Sequence, residues 1–400
     1  MASRSSFDIS RIFNRNKKIL TLCGFWKPEK DSGSRKVYFV YTCAIISLLV
    51  LFVTPQVLYM AANATDINKV SETLYISCCA FIVMIKSIAF YLNVAKAQKI
   101  VREFKTNDLF QVTCEKHLKI VQRSKNLGDI LFYLGIFCGT LTQLFWSIKP
   151  LLARERTLPI KGWFPYNSTR TPYFELTNWM QTSTSSFCIL HTVNIDSFAV
   201  NLILSIGAQC DILKYNLENL NKFQTRHGVL QKRNTEMEHH QKYFVQEMKN
   251  NLKICIQHYD LIKRITKMIE DLYHVAFLAL IIGGGFIFCT ISYQLLLVQI
   301  GSTEFFYLLF YLFSMLTQQS AFCFLGTELT FKSERLFLAA SNIPHWIYCD
   351  LSFKKMMTIY YTSLQKPLVL YAGRLIPLSV DALINVLRTS YSYFTLLRNI

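Results

Sequence analysis

The chain has 400 residues, of which 52% are hydrophobic, 14% aromatic and only 17% charged, with a mean hydropathy of +0.26 and a net charge of +18. It is too apolar for a disordered chain and too long for a small disulfide scaffold. In a soluble protein such a charge would point to nucleic acid or another acidic partner, so the placement of the 43 Lys and Arg residues decides its meaning.

The first 37 residues are polar and basic, unlike a secretory leader. Residues 38–60 then carry no charged side chain across a length that spans a bilayer core, about 20 residues at 1.5 Å each. Further apolar blocks lie near 74–94, 128–148, 184–207, 275–299, 305–326 and 377–397. Lys86 interrupts the second, His191 and Asp196 the fourth, and Asp381 and Arg388 the seventh. The expected fold is an all-α integral membrane protein with seven transmembrane helices.

Orientation follows from the basic residues of the connections, because Lys and Arg collect on the cytoplasmic side. With the N-terminus inside, segments 1–37, 95–127, 208–274 and 327–376 hold 34 of the 43, and the outer segments hold seven. This predicts a cytoplasmic N-terminus and an extracellular C-terminus. Two N-glycosylation sequons, at Asn63 and Asn167, both fall in loops assigned outside. None of the 12 cysteines falls in an outer loop, which suits reduced thiols, and none has zinc-ligand spacing. A G-protein-coupled receptor has the opposite orientation, and its helix signatures are absent here.

In the long inner connection, residues 244–272 read as a helix. Met248, Leu252, Cys255, Tyr259, Ile262 and Ile269 recur at steps of 4, 3, 4, 3 and 7, a heptad-like stripe on a charged helix. No Pro or Gly separates it from the fifth span, so one rod of roughly 56 residues, about 84 Å, is expected; the helix either lies solvated on the membrane or, the favoured reading, packs as a stalk against its neighbours below the bilayer. The pair His239-His240 reads as solvent-exposed rather than metal-binding. Residues 351–365 form a second inner helix, with Phe353, Met357, Tyr360 and Leu364 on one face and Pro367 beyond its end.

The last segment is polar along one face. Asp381, Asn385, Arg388, Ser392, Thr395 and Asn399 follow at steps of 4, 3, 4, 3 and 4. Polar groups facing lipid are costly, so this face must meet protein or water. It either packs as a seam within the chain or lines a water-filled pore built from several copies. The outer halves of the other spans are aromatic, with Tyr75, Phe81, Phe145, Trp146, Phe187, Tyr293, Phe306, Tyr307 and Phe310, and Cys78, Thr142 and His191 among them. Such a set suits a small, mostly apolar ligand, or simply aromatic packing. Lys86 is expected to snorkel inward or to pair with an acid. Gly283-Gly284-Gly285 reads as a close-packing or hinge element.

The tail, Thr389-Ser390-Tyr391-Ser392-Tyr393-Phe394-Thr395-Leu396-Leu397, closely resembles the C-terminal signature of insect odorant receptors. Gln365-Lys366-Pro367-Leu368, Ala372-Gly373, Leu378-Ser379, Ala339-Ala340 and Trp346 are similar to that family's approach to its last helix. So are Leu158-Pro159, Trp163-Phe164-Pro165 and Pro172-Tyr173 in the second outer loop, and Gly24-Phe25-Trp26-Lys27-Pro28 near the start. The resemblance implies an odorant-gated, non-selective cation channel: a tetramer with a shared coreceptor subunit, in the plasma membrane of olfactory sensory neuron dendrites. The seventh helices would line its pore, cytoplasmic helices would anchor its subunits, and Leu396 and Ile400 would fall at the outer gate. Arg398-Asn399 depart from the coreceptor's uncharged pattern, and the inner loop is shorter, so the chain reads as the tuning, odorant-binding subunit of a mixed tetramer.

The domain organisation is then an inner segment (1–37), helices one to four with their outer loops (38–207), a cytoplasmic anchor or stalk (208–274), helices five and six (275–326), an anchor helix and loop (327–376) and the pore-lining helix (377–400). The expected partners are a volatile odorant, the coreceptor, lipid and permeating cations, with no nucleic acid and no cofactor. A gustatory receptor of the same superfamily would carry a different tail. A transporter would show internal repeats and broken helices, and a membrane enzyme a nucleophile, carboxylate pair or metal cluster near the bilayer; no repeat is found, and no constellation of that kind stands out.

Overall fold

The computed structural model describes residues 8–27, 32–152, 158–220, 237–343, 346 and 349–398. These fold into helices α1 (Asn14–Leu22), α2 (Ser32–Ala62), α3 (Ile67–Thr106), α4 (Glu115–Leu152), α5 (Tyr173–Glu218), α6 (Met237–Leu297), α7 (Thr303–Ser341), α8 (Leu351–Leu364) and α9 (Val380–Arg398). Six of them, α2 to α7, are long and apolar enough to cross a membrane. Helix α9, with 19 residues, is long enough at about 28 Å, and its polar face keeps it out of that group.

Most of these helices outrun the apolar blocks that mark them. Helix α3 has 40 residues and α6 has 61, about 60 and 92 Å, where a bilayer core needs only about 30 Å. The excess is amphipathic and packs as a second layer at one end of the bundle. Met248, Leu252, Cys255, Tyr259, Ile262 and Ile269 of α6 are all at most 2% exposed, so the heptad-like stripe is the spine of that layer. The stripe is buried against helices of the same chain, notably α3 and α5. Helix α8 closes the layer with Phe353, Met357, Tyr360 and Leu364 buried, and the Tyr259 and Tyr360 rings meet edge-on at 5.9 Å. Asp350 caps α8 by accepting from the Phe353 N–H, and the neighbouring Lys249 ammonium holds its carboxyl below the ordinary value. The side chains of His239 and His240 lie outside the described residues.

The outer surface of the bundle is apolar. Val37, Phe39, Val40, Leu48 and Leu51 of α2, Ile130 and Phe137 of α4, and Phe313, Phe324 and Phe331 of α7 are exposed. Facing water, such a band would be an aggregation liability; facing lipid, it is what a spanning helix presents.

The N-terminal segment belongs to the core. A short 3-10 helix (Ile9–Phe13) and α1 lie against α3 and α5, burying Phe13, Leu20, Phe25 and Trp26. Asn16 is fully buried: its amide donates to Asn194 Oδ1 (3.1 Å), and its own carbonyls accept from Asn194 and Asn201 (3.1 and 3.0 Å). Phe25 reaches the ring of His191, with centroids 4.3 Å apart.

Three consecutive glycines in α6 admit three neighbours. A Cβ on Gly283 would meet Ile82 of α3 at 2.5 Å, one on Gly284 would meet Gln319 of α7 at 2.5 Å, and one on Gly285 would touch Val386 and Ser390 of α9 at 3.6 Å. The triplet is therefore a close-packing element. A two-residue hairpin, Tyr371–Ala372 with Ile376–Pro377, precedes α9. Its turn residues Gly373 and Arg374 have φ of 60° and 63°, the left-handed pair that such tight hairpins use. The start of α9 is bolted to α7: the Val380 N–H donates to Thr327 Oγ1 (3.1 Å), and Gly326 lies under the Leu378 carbonyl.

Candidate functional site: a two-chambered cavity and a polar helix face

Two connected cavities lie within the half of the bundle that carries the α2–α3 and α6–α7 turns. The outer one, about 110 Å³, is lined by Phe52 of α2, Tyr75, Cys79 and Val83 of α3, Thr142 and Trp146 of α4, Cys188 and Ile189 of α5, and Tyr307 and Tyr311 of α7, among others. The deeper one, about 180 Å³, shares Cys79, Val83, Thr142, Cys188, Ile189 and Tyr311, and continues to Leu131, Thr192, Asp196, Ser197, Gln318 and Phe322. Tyr75 packs its ring against Tyr311 and Tyr307 at 5.7 and 6.3 Å, so three tyrosines form one aromatic wall. The wall follows from helical period: Tyr75, Cys79 and Val83 step by four along α3, as do Tyr307 and Tyr311 along α7.

The loop before α5 covers the outer cavity. Ile160 is 1% exposed and packs among Phe52, Tyr75, Trp146 and Tyr307. Its backbone is held at both ends by Gln181, whose Oε1 accepts from the Ile160 N–H (3.1 Å) and whose amide donates to the Ile160 carbonyl (3.0 Å). The Trp163 N–H donates to the Pro55 carbonyl of α2 (2.8 Å), fastening the loop to the far side.

Of the aromatic and polar candidates read from the sequence, Tyr75, Thr142, Trp146 and Tyr307 line the cavities. Phe145 stacks on Phe310 (5.2 Å) and Phe306 (6.5 Å) along the α4–α7 seam. Cys78 is half-buried beside the aromatic cluster, Phe81 is exposed on the outer surface, and Tyr293 donates to Asn68 Oδ1 (2.9 Å). Phe187 stacks on His191 (5.8 Å), and both sit deeper, where His191 Nε2 meets Ser87 Oγ at 2.8 Å. The sequence reading passed over Cys79, Val83, Cys188, Ile189 and Tyr311. Stepping four residues from Tyr75 would have picked Cys79 over Cys78, and stepping four from Tyr307 would have reached Tyr311.

The floor of the deeper cavity is ionic. Lys86 Nζ lies 2.9 and 3.0 Å from the two carboxylate oxygens of Asp196, with the side chains only 2% and 13% exposed. The Gln318 amide donates to the same carboxylate. Charges buried this deeply persist only when paired, so α3, α5 and α7 are clamped at one point.

Helix α9 packs one face on α6 and α7, burying Ala382, Leu383 and Ser390, with Ser390 Oγ donating to the Gly285 carbonyl (3.0 Å). Asp381, Asn385, Arg388 and Ser392 are exposed on the remaining surface, and Thr395 is half-exposed. Among the described residues, none of the side chains of Asp381, Asn385, Arg388 and Ser392 has a hydrogen-bonding or ionic partner. Leu396 is 60% exposed and, with Asp381, Asn385 and Tyr393, borders an open groove of about 750 Å³ between α6 and α9. Asn399 and Ile400 lie outside the described residues. Asn63 is half-exposed in the α2–α3 turn, and Asn167 is exposed, its Oδ1 accepting from Thr169 Oγ1 (2.7 Å).

This architecture and sequence have known counterparts. A family model described as 7tm Odorant receptor matches residues 66–391. Odorant receptor Or1 of Anopheles gambiae is 22% identical over 393 residues, covering 95% of this chain and 93% of its own. Odorant receptor 59a of Drosophila melanogaster is 23% identical, covering 90% and 91%. The insect olfactory receptor OR5 of Machilis hrabei, solved with eugenol, superposes with a TM-score of 0.81 over 98% of both chains at 15% identity. The fold is thus that of an insect olfactory receptor, with helices α2 to α7 making this a multi-pass membrane protein. With the family match spanning most of its length, the chain belongs to the odorant receptor family.

Proposed function

We propose that the chain is the tuning subunit of an odorant-gated, non-selective cation channel in the plasma membrane, assembled with a coreceptor subunit into a mixed tetramer. The observation that carries this reading is the unpartnered polar face of α9, opposite the face that packs on α6 and α7. A polar stripe on a bilayer-length helix is stable only against water or protein, and four such helices around an axis would supply both. The N-terminus would be cytoplasmic and the C-terminus outside, as the 34 basic residues of the inner segments require, with α9 as the seventh crossing.

A small volatile would enter the cavity behind Tyr75, Trp146, Tyr307 and Tyr311, and would bind the dilated bundle better than the closed one. That differential affinity is the only means by which a ligand can shift the equilibrium. Helix α6 meets α3 at Ile82 through Gly283, α7 at Gln319 through Gly284 and α9 at Val386 and Ser390 through Gly285, which puts it between two of the cavity's helices and the polar helix. Movement of α9 would carry Leu396, with Ile400 beyond it, away from the axis, and Asp381 would favour cations at the inner end of the stripe. Arg388 and the terminal Arg398-Asn399 would oppose cation passage in a ring of four copies, which favours a mixed assembly. The relatives are receptors, and nothing in their descriptions points to catalysis.

Expression with and without the coreceptor, with odorant-evoked current as the readout, tests this reading. Current is expected only in the mixed assembly. Surface-delivered receptor and coreceptor that stay silent to a broad volatile panel would overturn it.

A further inference from the structure

The deeper cavity is mostly apolar, and its charged lining residue, Asp196, lies at the floor. On α5, Thr192 and Asp196 are one turn apart and share a face, with Ser197 next to them, and all three line the cavity. Other hydroxyls lining or near the cavity turn back onto their own helix: Ser87 donates to the Val83 carbonyl (2.6 Å), Thr142 to Cys138 (2.9 Å) and Ser314 to Phe310 (2.9 Å). Thr192 Oγ1 and Ser197 Oγ are buried and, like Thr73 and Ser205 elsewhere in the bundle, have no partner among the described residues. Ser197 is 5% exposed, so bulk water does not satisfy it. Unpaired polar groups of this kind are costly, and a ligand that completes them recovers that cost.

The charge state narrows the ligand further. Lys86 spends its charge on Asp196 and has no free surface, so the floor presents a neutral pair with carboxylate oxygens toward the cavity. A carboxylic acid would add an uncompensated negative charge in a low-dielectric site, and an ammonium would add a positive one; both are disfavoured. Both Asp196 oxygens already accept from Lys86, and one also from Gln318, which leaves acceptor capacity that an O–H can use and an ether or hydrocarbon cannot. An apolar cavity of about 150 Å³ holds a benzene-sized molecule, which sets the scale for one of about 180 Å³.

We propose that the receptor is tuned to neutral, hydroxylated volatiles of about benzyl-alcohol size. The ligand O–H donates to Asp196, and its oxygen accepts from Thr192 or Ser197. The selectivity therefore resides at the floor of the cavity and not in its aromatic wall. This inference rests on the odorant-gated reading above.

The test uses the full chain with its coreceptor and a matched panel: benzyl alcohol, phenol, benzyl methyl ether, toluene, benzoate and benzylamine. The wild type is expected to respond to the hydroxyl compounds at concentrations about tenfold or more below those needed for the ether and toluene, and not at all to the two ions. Lys86→Met with Asp196→Leu removes the pair without stranding either charge, and Thr192→Val with Ser197→Ala removes the spare hydroxyls. The first variant is expected to bring the alcohol-to-ether ratio toward one, because only the alcohol can donate to Asp196; the second removes a donor that both oxygens can use and is expected to weaken alcohol and ether together, leaving the ratio in place. Current without an alcohol preference in the wild type, or a preference retained in Lys86→Met with Asp196→Leu, overturns this inference alone. Silence to the whole panel from a surface-delivered assembly overturns the odorant-gated reading, and this inference with it.

Discussion

Asn16 ties the N-terminal segment into the bundle through Asn194 and Asn201, at a depth where water cannot substitute. Truncating it strands buried groups on α5, each worth about 1–3 kcal/mol. Asn16→Ala is accordingly expected to lower the thermal unfolding temperature of the detergent-solubilised protein by several degrees. An unchanged midpoint would mean that the segment does not depend on this network. Such pairings were not legible in the sequence, because an asparagine in a basic N-terminal stretch looks like any solvated residue. Lys86 was half-legible: a lysine in an apolar block must either reach an interface or find an acid, and Asp196 and Asp381 were visible as acids interrupting other apolar blocks. Their contact is a matter of helix phase, which hydropathy does not report. The same limit separates Cys79, on the cavity wall, from its neighbour Cys78.

At the scale of elements, periodicity carried the most information where one face is buried and the other solvated. The stripe on α6 and the four apolar residues of α8 were readable for that reason, and each is buried. Helix ends were less readable, since the amphipathic extensions of α3 and α5 pass smoothly from lipid-facing to water-facing composition. Glycines act locally here, and their effects differ by neighbour. Gly326 lies against the Leu378 backbone, which cannot rotate aside, so Gly326→Ala must displace the start of α9 and is expected to cost about 1–3 kcal/mol of stability. Gly285→Ala would place its methyl 3.6 Å from Val386 and Ser390, ordinary contact distance, and is expected to be near neutral by the same thermal measurement. Equal gains at both positions would show that helix propensity, which favours Ala over Gly, dominates close approach. Leu396 is exposed at the end of α9, and Leu396→Ser is expected to raise basal current several-fold in the mixed assembly; unchanged leak would remove it from the gate.

Across the whole molecule, the apolar composition belongs to a multi-pass helical bundle. In the proposed topology 34 of the 43 basic residues fall on the inner side, which would give the +18 charge a topological meaning that needs no nucleic acid. The cavity and the groove beside α9 are separated by α6, and the functional reading requires that they communicate. Modification of cysteines introduced at Asn385, Arg388 and Ser392, by a charged thiol reagent applied from outside, tests that requirement most directly. In the mixed assembly we expect each modification to reduce the current, and to proceed several-fold faster while odorant is present. Modification that leaves the current unchanged, at a rate indifferent to odorant, would contradict a pore lined by α9 and opened from the cavity.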